Sequence, residues 1–278
     1  MTTARTWALR GARSVTRTVG RWTAGSRMHP SFLIVGAQRC GTTSLYKTLS
    51  QHPSVVPAVL HKGVHFFDTE YHRGMAWYLG HFPARRPGAP AITGESSPYY
   101  MFHPHAPRRI AANLPDVRLL VLLRDPVERA YSAHSHELAR GYETEPFERA
   151  LELEAERTAG ERERMLADES YQSHHLQHNS YLARGRYVEQ LEHLAEVFGR
   201  DRVHVIDSDE FFADPQPAFD GVCDFLELPR TTDIAFGKHN ARSRAPMAAE
   251  LRARLDEHFA PYDQRLAAWW GRVPSWRR

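Results

Sequence analysis

Two polar stretches each follow an apolar run and carry groups suited to holding an anion. The first is Gly36-Ala37-Gln38-Arg39-Cys40-Gly41-Thr42-Thr43-Ser44, entered from Ser31-Phe32-Leu33-Ile34-Val35. Glycine at both ends of the loop lets backbone N–H groups turn inward, and a helix starting at Thr42 adds the positive end of its dipole. The spacing is that of the nucleotide loop GxxxxGK[ST], but Thr42 stands where that loop has its lysine. That lysine pairs with the outer phosphates of a nucleoside triphosphate, so its absence argues against an ATPase or kinase. Arg39 supplies a cation from inside the loop instead. The second stretch is Leu122-Leu123-Arg124-Asp125-Pro126-Val127-Glu128-Arg129-Ala130-Tyr131-Ser132. An arginine at a strand end offers a phosphate paired hydrogen bonds, and Ser132 on the following helix offers a third. Arg129 reads as a structural partner of Asp125 or of a neighbouring carboxylate. Later in the chain, Arg242-Ser243-Arg244 precedes a helix and reads equally well as a phosphate clasp or a solvated linker.

The elements that must position these groups follow from the apolar pattern. Ser31 to Gly36 is a buried strand and Thr42 to Gln51 a helix ended by His52-Pro53. Ala91 to Gly94 reads as a strand with Glu95 just beyond it. Val117 to Leu123 is the strongest strand, with Pro126 opening the next helix. Residues 143–169, rich in Glu and Arg at three- and four-residue spacings, read as one exposed helix. A helix from about Arg186 to Phe198, a strand from Arg202 to Ile206, and helices over 215–227 and 247–269 complete the order. Strands alternating with helices predict a single α/β domain, residues 30–278, built on a P-loop-like parallel sheet with helices on both faces. Ligands of such sheets sit beyond the carboxyl ends of the strands, where both polar loops lie.

Taken in this order, strand–GxxRxGTTSL–helix and RDPxxRAYS resemble the 5′-phosphosulfate and 3′-phosphate motifs of sulfotransferases that use 3′-phosphoadenosine 5′-phosphosulfate (PAPS). The resemblance continues through Lys62-Gly63-Val64-His65-Phe66-Phe67-Asp68, Gly94-Glu95-Ser96-Ser97-Pro98-Tyr99, Arg184-Gly185-Arg186-Tyr187 and Asn240 to Pro246. It covers Pro30 to Trp276 and is closest in flavour to the heparan-sulfate-type and related bacterial enzymes. It implies that Arg39, Cys40, Gly41, Thr42, Thr43 and Ser44 hold the phosphosulfate, and that Arg124 and Ser132 hold the 3′-phosphate. It further implies that Arg242, Ser243 and Arg244 close over that phosphate, that Tyr187 lies near the adenine, and that adenosine 3′,5′-bisphosphate is the product. The expected reaction moves a sulfuryl group to a hydroxyl of a glycan, lipid or secondary metabolite, and requires no metal. Arg39 would serve the leaving group and Lys62 the transferring group.

One departure from the resemblance concerns the base. The heparan-type enzymes carry a catalytic glutamate directly after the lysine, and here that position is Gly63. Glu95, His65 and His134 are the replacement candidates, with Glu95 favoured as a carboxylate in a strand-end loop. The alternatives to the enzyme are a P-loop nucleotide kinase and a non-catalytic phosphoadenosine-binding or interaction protein.

Composition bounds the rest. The 278 residues are 42% apolar and 25% charged, as in a globular domain, and no apolar run approaches a membrane span. Cys40 and Cys223 make no disulfide framework or zinc pair, so a reducing cytoplasmic compartment is expected. The net +3 hides an asymmetry, because nine basic and no acidic residues precede Asp68, leaving 27 basic against 33 acidic from Asp68 onward. Residues 1–29 read as a separate basic arm, flexible or amphipathic, the latter able to touch an anionic inner membrane surface. Nothing points to nucleic acid.

Overall fold

The computed structural model describes residues 22–59, 61–85, 88, 91–237 and 245–278. The basic arm up to Arg21 and the Arg242–Arg244 clasp lie outside the described residues.

Four parallel strands form the centre: β1 (Phe32–Gly36), β2 (Gly94–Ser96), β3 (Arg118–Leu123) and β4 (Val203–Asp207), in the order β2-β1-β3-β4. The helices are α1 (Thr42–Leu49), α2 (Met75–Leu79), α3 (Ala106–Asn113), α4 (Pro126–Arg140), α5 (Phe147–Thr158), α6 (Glu161–Ala167), α7 (His174–His178), α8 (Tyr187–Phe198), α9 (Ser208–Ala213), α10 (Pro215–Phe225) and α11 (Ala249–Trp270). β1 is buried along its whole length, as is β3 from Leu119 to Leu123, which is why both read as unbroken apolar runs rather than alternating ones. No described helix is long and apolar enough to cross a membrane.

The chain leaves β1 toward β2 on one side and returns to β3 on the other, so the sheet reverses its winding between β1 and β3. That reversal opens a crevice at the strand ends. Phe32 pairs with Arg118 and Ile34 with Leu120, and the register then slips so that Gly36 pairs with Val121. The slip ends β1 short of β3, and the glycine-bounded loop starts beside the middle of its neighbour. Gly41, at φ +92, caps α1 in the left-handed region that favours glycine. Asp125 caps α4 by accepting from the N–H groups of Val127 and Glu128, with Pro126 at the first helical position.

Three expectations are corrected. The exposed helix over 143–169 is two helices, α5 and α6, separated at Gly160 (φ +71). Glu154 within α5 is buried and accepts from the N–H groups of Tyr181, Leu182 and Ala183, so that segment braces the interior. Of the two partners expected for Arg129, Asp125 pairs instead with Arg252 at 2.6 Å, while the fully buried Arg129 donates to the carbonyl of Tyr181 and acts on the neighbouring carboxylate of Glu154. Finally, β2 is Gly94–Ser96, so Glu95 lies inside the strand rather than beyond it.

Gly94 is required by close approach. A Cβ there would stand 2.4 Å from the Phe32 carbonyl oxygen and 2.6 Å from its ring. Gly94→Ala is expected to lower stability by about 1–3 kcal/mol, as overpacking of a tight core does. Urea unfolding of the two proteins measures the difference.

Candidate functional site

The crevice opens into a cavity of about 920 Å³. Arg39 to Thr43 from the first loop, with Arg124 and Ser132 from the second, line one wall. The two motifs meet directly, because Arg39 Nε donates to Ser132 Oγ at 3.1 Å. Arg39 reaches it from a left-handed backbone at φ +71, which a non-glycine residue adopts only when its surroundings demand it. Arg124 Nε is buried with no hydrogen-bond partner, and its Nη2 reaches the Glu128 carboxylate only at 3.8 Å. A buried cationic donor left unmatched is costly, and an anion in the cavity would satisfy it. Thr42 and Thr43, at the N-terminus of α1, line the same space, so the positive end of the helix dipole adjoins it. Ser44 is fully buried and packs behind the loop.

Tyr187 stands beneath this wall, against Cys40. Tyr187 is 1% exposed and does not line the cavity. Its hydroxyl donates to the Arg124 carbonyl at 3.0 Å and lies 3.7 Å from Cys40 Sγ. Tyr187, expected near the adenine, is held inside by these contacts, which tie the first loop to the end of β3. Burial pushes both the Cys40 thiol and the Tyr187 phenol up from their ordinary pKa values.

The opposite wall is the segment from His61 to His65, ahead of β2. Lys62 lines it, and burial together with nearby Lys47 pulls its ammonium below the ordinary lysine value, against the pull of Glu95. Glu95 does not line the cavity. The strand period explains this, since neighbouring residues point to opposite faces and Ser96 is the one that faces the cavity. Glu95 Oε2 accepts from the Val64 N–H at 3.0 Å and the Ser97 hydroxyl at 2.6 Å; Oε1 accepts from Tyr100 at 2.7 Å and Tyr78 at 3.3 Å. With every acceptor position of a fully buried carboxylate engaged, Glu95 is a scaffold and not the expected base. His134 is 3% exposed, binds the Glu145 carbonyl and also lies off the cavity. His65 does line it. Among the described residues no cluster of His, Cys, Asp and Glu is suited to a metal.

The sequence reading missed a third wall. His136 and Arg140 follow Ser132 at successive four-residue intervals on α4 and line the cavity with it. That spacing was the available signal. His178 from α7 lines it too, its Nδ1 3.0 Å from the buried carboxylate of Glu137. Gln38 joins this wall to the first loop: its amide donates to Glu137 at 3.3 Å, and its carbonyl accepts from Arg184 at 2.5 Å. Arg184 stacks on Tyr99 and Phe102, and burial lowers its pKa to about 10.

Comparison with known proteins agrees with this geometry. The family model described as the sulfotransferase domain matches residues 29–242. The chain belongs to that family. It is 30% identical over 277 residues to mouse heparan sulfate glucosamine 3-O-sulfotransferase 3B1, an alignment covering 91% of this chain and 66% of the relative. It is also 30% identical over 257 residues to the Caenorhabditis elegans bifunctional heparan sulfate N-deacetylase/N-sulfotransferase 1, covering 83% of this chain and 28% of that one. The chain therefore spans less than two thirds of the length of these relatives. Among solved structures, a sulfotransferase from Alicyclobacillus acidocaldarius superimposes with a TM-score of 0.71 at 34% identity, over 90% of this chain and 99% of that one.

The Glu95 network gives a stability prediction. Burial raises its pKa above the ordinary 4.5, so folding favours the protonated form. The stability this group contributes is full below the ordinary carboxyl value and declines as pH rises through the raised one. Glu95→Gln does not titrate and also exchanges an acceptor oxygen for a donor. It should lose about 1–3 kcal/mol. The gap to wild type should widen as pH falls from 8 toward 5, and denaturant melts across that range measure it.

Proposed function

We propose that this sulfotransferase moves a sulfuryl group from PAPS to a hydroxyl group, and that a glycan is the acceptor class best supported. The 3.1 Å contact between Arg39 and Ser132 carries the donor reading, because it joins a phosphosulfate loop and a phosphate-binding arginine–serine pair in one cavity. The relatives named for heparan sulfate support a glycan over a lipid or secondary metabolite. The mixture of Trp77, Arg140, Gln177 and His178 along the cavity offers the ring face and polar donors that a sugar uses.

The residues present fit the donor. Arg39 and the first turn of α1 are suited to the 5′ end, and Arg124 with Ser132 to the 3′-phosphate. Bound PAPS supplies an SO3 group on a phosphate leaving group, and transfer proceeds in line to the acceptor oxygen. As the S–O bond breaks, negative charge grows on the phosphate oxygen. Arg39 and the inward N–H groups are fixed before the reaction and stabilise that charge without reorganising. Lys62, on the cavity wall, would hold the sulfuryl oxygens for attack. A group lining the cavity must accept the hydroxyl proton.

Isothermal calorimetry with adenosine 3′,5′-bisphosphate and with ATP tests the donor. The bisphosphate should bind and ATP should bind far more weakly; the reverse preference would restore the kinase reading. Arg124→Ala should weaken the bisphosphate by about 1.5–3 kcal/mol, roughly 10- to 150-fold, the worth of hydrogen bonds to a charged group. Equal affinity in mutant and wild type would remove Arg124 from the 3′-phosphate site.

A further inference from the structure

We infer that His65 is the general base of the transfer, that Asp68 positions it, and that it works beside the space left by the missing side chain of Gly63. This inference rests on the sulfotransferase reading. His65 Nδ1 lies 2.8 Å from Asp68 Oδ2. Asp68 is 2% exposed, and its second oxygen accepts from the Thr69 N–H at 2.6 Å, so the carboxylate is held still. Such a partner keeps the proton on Nδ1 and leaves the lone pair of Nε2 to act as acceptor. The His65 side chain is 43% exposed and lines the cavity, whereas Glu95 and His134 are closed off from it.

The position of the ring is specific. A Cβ built on Gly63 would lie 3.6 Å from His65 Nε2 and 2.9 Å from the Ser96 carbonyl oxygen. Nε2 therefore occupies the neighbourhood in which a side chain at residue 63 would begin, and the backbone of β2 bars such a side chain. The ring is carried there by an unusual backbone. His65 has φ +54, and its N–H donates to Ser97 Oγ at 3.0 Å. Ser97 in turn donates to Glu95. The buried carboxylate that failed as a base thus holds the loop carrying the base, and the left-handed backbone is paid for by that network.

Three charged groups face the imidazole: Asp68 on its own loop, Glu95 from β2 and Lys62 at the start of the segment. Burial disfavours the imidazolium and Lys62 repels it, but Asp68 and Glu95 outweigh both and raise its pKa above the ordinary 6.5. In the transfer, the acceptor O–H gives its proton to Nε2. The acceptor oxygen forms a bond to sulfur, and the bond from sulfur to the phosphate oxygen breaks with its electron pair leaving on phosphate. The imidazolium then returns the proton to solvent.

The test uses the full chain with PAPS and with water as acceptor, so no natural acceptor need be known. Release of labelled sulfate in a single turnover is followed against pH, and adenosine 3′,5′-bisphosphate affinity is measured alongside. Wild type should show a rate that rises with pH and levels off above the His65 pKa. His65→Gln should lose that rise and fall about 100- to 10,000-fold, the usual worth of general base catalysis, while the bisphosphate binds within threefold of wild type. Asp68→Asn should keep bisphosphate affinity and move the rise to lower pH, an effect that a merely structural aspartate would not produce. Nitrogen-15 imidazole spectra of wild type should show Nδ1 protonated at His65. If His65→Gln loses the bisphosphate, the Asp68→Asn profile and the spectra decide. A persisting pH rise in His65→Gln, an unmoved rise in Asp68→Asn, or a proton on Nε2 would each overturn the inference. Failure of wild type to bind the bisphosphate would instead overturn the donor reading beneath it.

Discussion

The pairing of β1 with β3 governs everything at the site. Parallel strands whose register slips at Gly36 place the exit of one beside the end of the other, and each exit carries an arginine. Two guanidiniums and an ammonium then face one crevice, an arrangement that like charges resist when they are withdrawn from water. The sheet imposes it nevertheless, because the strands beneath are buried and have no competing register that keeps their apolar side chains from water. The resulting field is what a multiply charged anion reads on entry. Arg39 and Ser132 already touch, so little ordering remains to be done when the anion arrives.

A second constraint lies on the other side of β1. The Glu95 carboxylate gathers hydrogen bonds from Val64, Ser97, Tyr78 and Tyr100, and the Tyr100 hydroxyl accepts from the N–H of Phe66 at 2.8 Å. A segment without regular secondary structure is thereby fixed as firmly as a strand. Buried polar networks of this kind are costly when incomplete and specific when complete. This one is complete at its centre, and the residues it orders, Lys62 and His65, are ones that line the cavity.

Both cavity loops were legible in the sequence because their signals are local: an apolar run, glycine at fixed spacing, a proline at a helix start. Glu95 was misplaced by one step of the strand period. A three-residue strand gives too short a pattern to phase, and whether residue 95 or 96 faces the cavity depends on pairing with Leu33, which is far away in sequence. The bond from the Tyr187 hydroxyl to the Arg124 carbonyl was not readable, since helical position alone does not say what a phenol points at. The charged stretch over 143–169 looked solvent-exposed because the burial of Glu154 depends on three backbone N–H groups some thirty residues on. His178 and Arg184 reach the cavity only through tertiary packing. His136 and Arg140 were readable from their four-residue spacing after Ser132.

Gly63 has a consequence for what this site can accept. With the Ser96 carbonyl 2.9 Å from where a Cβ would sit, any side chain at position 63 requires the end of β2 to shift. That shift would strain the bond from the Ser96 N–H to the Lys62 carbonyl at 2.7 Å, and with it the segment that carries His65. A carboxylate grafted at position 63 is thus no simple addition to the cavity, because it displaces the backbone that shapes the wall around it.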